Sequence, residues 1–110
     1  MSDSFEKEVL GQLREAGSDV TKPHKFEFYL YVPTESAGNL AAKKMLESGF
    51  PGADVRPSAA DDGTWLCLVT KELVPEKTNL DDHARFFNEV AAALDGVFDG
   101  WEAEIVERTP

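Results

Sequence analysis

Hydrophobic positions recur along this chain at two periods, and the change between them divides it. Phe5, Val9, Leu10, Leu13 and Ala16 recur at spacings of three and four, which places them on one face of a helix. Asp3 or Ser4 can cap its start, and Gly17 can stop its end. Gly11 in the middle costs about 1 kcal/mol relative to alanine. Such a helix must bury its apolar stripe to be stable, so we expect it to dock on the open face of a sheet or on a second copy of the chain. The small, turn-prone run from Gly17 to Pro23 reads as a linker. The expected division is 1–22, an N-terminal helix and linker, and 23–110, the main domain.

From Lys25 the period falls to two. Phe26, Phe28, Leu30 and Val32 share one face of a strand, while Lys25, Glu27, Tyr29 and Tyr31 share the other. Pro33 ends it and Thr34 can cap a helix over Glu35 to Ser48, with Ala37, Leu40, Ala41 and Met45 on one side. A weak strand, Ala53 to Pro57, leads to the turn signal Asp62-Gly63. Thr64 to Thr70 is apolar on both faces and belongs in the middle of a sheet. Asn79 caps a helix to Leu94 whose stripe is Leu80, His83, Ala84, Phe87, Val90, Ala91 and Leu94. After Asp95-Gly96, a last strand from Trp101 to Glu107 places Trp101, Ala103 and Ile105 on one face and Glu102, Glu104 and Val106 on the other. The order predicts an α+β, ferredoxin-like βαββαβ sandwich: a four-stranded antiparallel sheet with two helices on one face, plus the N-terminal helix.

Length and composition narrow the function. At 110 residues the chain suits one domain with its own core. Twenty-one acids against eleven bases leave a net charge of −10, the wrong sign for sequence-independent binding to phosphate backbones. A single cysteine excludes an internal disulfide framework and a cysteine-rich zinc site. Met1 to Leu10 carries acids and no hydrophobic stretch, unlike a secretory signal, and no apolar run approaches the roughly 18 residues of a membrane span. The expected address is the cytoplasm.

Chemistry-bearing residues are few. Cys67 sits inside the apolar strand, where a thiol is structural and not a nucleophile. His24 and His83 are the only histidines, and His83 falls on a helix stripe, as a histidine at the rim of the core. The acidic groups Asp61-Asp62, Asp81-Asp82 and Glu102, Glu104, Glu107 read as solvated surface. Phosphate-binding, hydrolase and metalloprotease motifs are absent. We therefore expect no catalytic residue, metal or cofactor. A small enzyme using Cys67 or a buried carboxylate, or a small-molecule-binding domain, stays as an alternative. So does an RNA-binding module that stacks bases on Tyr29, Tyr31 and Trp65 of the sheet, although the charge opposes it.

Four pieces then occur in order between Lys25 and Glu107: FEFYLYVPTESA, LESGF, DDGTWLCLVTKELVP with Gly63 and Trp65, and FDGWEAEIVE with Phe98, Asp99, Gly100 and Trp101. Together they are similar to the regulator of ribonuclease activity B family, the ribonuclease E inhibitor domain. The leader before Thr21 is less acidic than in the namesake members, and the last strand departs after its tryptophan. The resemblance implies a ferredoxin-like sandwich and a non-enzymatic protein that binds ribonuclease E, through the nuclease's scaffold region, and restrains RNA decay. It implies a protein partner, and the acidic charge and the lack of an apolar span lead us to expect no direct contact with nucleic acid or membrane. An acidic domain suits a basic, disordered partner segment. From Asp81 onward there are eight acids and two bases, so Asp81, Asp82, Asp99, Glu102 and Glu104 are the expected partner-binding residues. Tyr29, Tyr31 and Trp65 are the alternative interface. Trp101 is expected to be structural first, carried to the core edge near Leu94 by an FDGW turn, with Gly100 in a conformation that a side chain would strain.

Overall fold

The structure, a computed structural model, describes residues 4–60 and 62–107. Asp3, one of the expected helix caps, and Asp61 of the acidic turn lie outside the described residues. Three helices and four strands follow one another: α1 (Phe5–Glu15), β1 (His24–Val32), α2 (Glu35–Glu47), β2 (Gly52–Pro57), β3 (Trp65–Leu73), α3 (Leu80–Ala93) and β4 (Val97–Ala103), with a single 3-10 turn at Pro75–Lys77 before α3. Each helix starts where a side-chain oxygen can take an orphan backbone donor. Ser4 accepts from the Lys7 N–H, Thr34 from that of Ala37, and Asn79 from that of Asp82, each at 3.1 Å.

The strands form one antiparallel sheet in the order β2-β3-β1-β4. Period-two burial of β1 buries His24, Phe26, Phe28, Leu30 and Val32 on one face. These residues join Cys67 and Val69 of β3, Ala41 and Met45 of α2, and Leu80, Phe87 and Val90 of α3 in one core. The α+β sandwich expected from the residue pattern is the fold observed.

Two expectations fail at the ends of the sheet. The last strand starts at Val97 and ends at Ala103, four residues earlier than expected at each end. Phe98-Asp99-Gly100-Trp101 is therefore not a turn but a bulged strand. Leu30 faces Phe98 and Tyr29 faces Gly100, so Asp99 is the extra residue. Gly100 takes φ 131, which a side chain would strain. The strand can begin so early because Gly96 passes against the Tyr31 carbonyl, where a Cβ has no room. Ile105, expected to continue the strand on the face of Trp101 and Ala103, lies beyond the strand and is 51% exposed. Beyond Ala103 the chain leaves the sheet and pairs instead with residues 18–19: Asp19 N–H donates to the Val106 carbonyl at 2.7 Å.

The N-terminal helix does not cover the open face of the sheet. It joins the helix layer beside α3. Val9 and Leu13 are buried in the common core, and the Phe5 ring lies 5.9 Å from that of Phe98. The N-termini of α1 and α3 also cap each other. Asp81 accepts from the Glu6 N–H at 2.8 Å, and Glu6 accepts from the Leu80 N–H at 3.3 Å. A carboxylate at each positive helix end favours this docking. The aromatic margin of β4 on the helix side, Phe98 and Trp101, gives the helix its apolar seat. The Trp101 ring accordingly packs 5.9 Å from Phe26, beside a hollow it shares with Gln12, Leu13 and Ala16 of α1, and not beside Leu94. The linker-like run is tied down too: Ser18 and Val20 are buried, and the Val20 carbonyl accepts from Glu76 N–H at 3.1 Å.

Candidate functional site: the open face of the sheet

With all three helices on one side, the other side of the sheet is left uncovered among the described residues. The register decides what it shows. Tyr29 lies opposite Leu68 and Tyr31 opposite Leu66, so these four half-buried side chains form its centre. Trp65, expected to share this face with the tyrosines, pairs with core-facing Val32 and belongs to the helix side. Alternation could not reveal this, because β3 is apolar on both faces.

Charge surrounds the centre. Lys25, Glu27 and Glu72 lie on the same face from β1 and β3, Asp54 and Arg56 from β2, and Glu102 from β4. Arg56 is paired with Asp54. Among the described residues Glu27, Asp99 and Glu102 have no ion-pair partner. The β4 bulge brings Asp99 to this face, where it lines a hollow of about 310 Å³ with Tyr29, Tyr31, Trp101 and Glu102. A second hollow of about 430 Å³ shares Tyr31 and Asp99 and extends past Val97 to Asp62 and Thr64. The two make one groove along the β1–β4 side of the sheet.

Local hydrogen bonds set its electrostatics. The Tyr29 hydroxyl donates to Glu102 at 3.0 Å. Desolvation first, and then this bond to a carboxylate, pushes the Tyr29 hydroxyl up to about 12, so Tyr29 stays a neutral donor. At the groove's far end the Thr64 hydroxyl, and then its N–H, donate to Asp62 and hold that carboxyl below its usual range. Glu104, just past β4, accepts from the Lys25 N–H at 3.1 Å.

The structure thus separates the expected acidic patch. Asp99, Glu102 and Glu104 gather on the open face or its margin. Asp81 and Asp82 lie in the helix layer, where Asp81 caps α1 and Asp82 pairs with Arg85 at 3.1 Å.

Cys67 and the Ser18–His24 pair, the groups best suited to covalent chemistry, are sealed. Cys67 is buried, and burial first, then the Asp54 charge, raises its thiol to about 11. Ser18 and His24 form a serine–histidine pair, with 2.6 Å between Oγ and Nε2, and both are fully buried. The Lys22 carbonyl, 2.8 Å from Nδ1, can only accept, so Nδ1 carries hydrogen and Nε2 faces Ser18. Ser18 Oγ in turn accepts from Val106 N–H at 2.8 Å. The pair is a structural clasp between the linker, β1 and the C-terminal segment. Sequence periodicity gives no sign of it, since its members are 88 positions apart at the widest. His83 sits at the rim of the core as expected, its ring edge-on to Phe50 at 5.4 Å. No group of three metal-capable side chains occurs among the described residues, and no helix there is long and apolar enough to cross a membrane.

Comparison with known proteins agrees with this sandwich in extent. The family described as Regulator of ribonuclease activity B matches residues 3–103, a range that includes α1. A regulator of ribonuclease activity B from Pseudoalteromonas atlantica is 29% identical over 106 residues, covering 94% of this chain and 90% of that protein. The chain belongs to the regulator of ribonuclease activity B family.

Proposed function

We propose that this protein is a non-enzymatic regulator of a ribonuclease, resembling inhibitors of ribonuclease E, that docks on the nuclease in the cytoplasm and slows RNA decay. The observation that carries the reading is the open sheet face in a member of this family: two tyrosines and two leucines beside Glu27, Asp99 and Glu102, which have no ion pair among the described residues. Such a face is complementary to a basic protein segment. Lysines and arginines meet Glu27, Asp99, Glu102 and Glu104, while apolar stems lie on Tyr29, Tyr31, Leu66 and Leu68. Asp81 and Asp82 are not part of this surface. The sealed positions of Cys67 and of the Ser18–His24 pair support a role without catalysis.

The tyrosine pair also favours a second reading, base stacking as in sheet-based RNA-binding modules. The surrounding carboxylates oppose it, because phosphates meet repulsion. An Asp99→Lys, Glu102→Lys variant separates the two. Exposed charge changes cost within about 0.5 kcal/mol each, so the fold is kept. Binding to a ribonuclease with a basic segment should weaken on reversal and with added salt. Tight binding of single-stranded RNA by the wild type at physiological salt, with ribonuclease binding unchanged by the reversal, would instead favour the RNA reading.

A further inference from the structure

The helix layer carries a second surface of opposite chemistry. Between α2 and α3 runs a groove of about 300 Å³, lined by Leu40, Lys43, Lys44, Glu47, Val90 and Leu94, with Ala93 at its edge. On α2 the lining residues follow i, i+3, i+4, i+7, one face of the helix. Leu40 is 54% exposed there, an apolar side chain left on the outside of a helix whose core face, Ala41 and Met45, is already buried. Lys43 and Lys44 stand at the rim, and neither has an ion pair among the described residues. In a chain of net charge −10, two lysines here adjoin an open apolar floor.

We propose that this groove docks an amphipathic helix of a protein partner, one whose leucine-type stripe is flanked by acidic side chains. A hollow between two helices, lined by two turns of α2 and the C-terminal half of α3, suits the side chains of a third helix, with apolar anchors on Leu40, Val90 and Leu94. The lysine pair selects acids beside those anchors, and Glu47 repels them from the C-terminal end of α2, which fixes direction. The chain's own amphipathic helices are not the occupant, since α1 and α3 already bury their stripes in the core. This surface is independent of the sheet face.

The test is a chemical-shift titration of the full chain with a synthetic helical peptide carrying leucines at i, i+3, i+4 and i+7 and glutamates beside them. A second peptide has lysine at every glutamate position. The inference expects shifts confined to α2 and the C-terminal half of α3, and at least tenfold weaker binding of the lysine peptide. It expects binding to be lost in Leu40→Glu and to fall about tenfold in Lys43→Glu, Lys44→Glu. Both variants change exposed residues, and their own spectra report whether the fold is kept. Preference for the lysine peptide, shifts centred on Tyr29 and Tyr31, or none at millimolar peptide would overturn it. So would a dimer that Leu40→Glu dissolves, which would make the groove a contact between copies.

Discussion

Ser18 and His24 are the fully buried polar side chains among the described residues, and every polar atom they carry is bonded. Ser18→Ala would leave the His24 Nε2 and the Val106 N–H without a partner in a dry site. Leaving a buried group unsatisfied costs about 1–3 kcal/mol. Denaturant unfolding should show a lower midpoint at unchanged slope; an unchanged midpoint would mean that the clasp contributes nothing net. Cys67 makes a related prediction about protons. Its thiol is held near 11 by burial, above the roughly 8.5 of an unfolded cysteine. The native state therefore binds this proton more tightly, and the stability it gives is complete below the unfolded value and lost as pH rises through the folded one. At neutral pH the native protein should resist alkylating reagents and react only on unfolding. Fast native-state labelling would contradict the placement.

Whether a feature is legible in the residues depends on the element. The strict alternation of β1 predicts its core face residue by residue, and Thr34 and Asn79 cap as expected. The bulge at Asp99 breaks the alternation in β4, so the periodic stretch Trp101–Ile105 suggests a strand that begins too late. Trp65 turns up on the face opposite to the expected one because an apolar run carries no parity. The amphipathic face of α1 announces that the helix docks but not where, since Phe98, Trp101 and the Glu6–Asp81 exchange are tertiary. Charge alone points to the acidic residues of the open face, yet only the tertiary fold separates Asp99, Glu102 and Glu104 from Asp81 and Asp82, whereas the alternation of β1 already places Glu27 beside the tyrosines. Within α1, Gly11 is exposed, with open space where an alanine methyl group would stand. Gly11→Ala should therefore stabilise the protein by up to about 1 kcal/mol, seen as a rise in Tm of about 4–8 °C. No rise would indicate that α1 contributes little to global stability.

At the scale of the molecule, the sandwich puts two unlike surfaces back to back. The helix side holds the core, α1 and a lysine-rimmed groove. The sheet side presents tyrosines beside Glu27, Asp99 and Glu102, which have no ion pair among the described residues. Association through the sheet side should be steered by charge and weaken as the Debye length shrinks with salt. The central claim is that the chain acts on a ribonuclease and not on its RNA. The most direct measurement is the RNA cleavage rate of a ribonuclease with a basic segment, at fixed enzyme, as this chain is titrated at two RNA concentrations well apart. The account predicts that cleavage falls with the ratio of chain to enzyme, and that the titration midpoint is the same at both RNA concentrations. A midpoint that moves in proportion to RNA would show that the chain sequesters the RNA, and would contradict it.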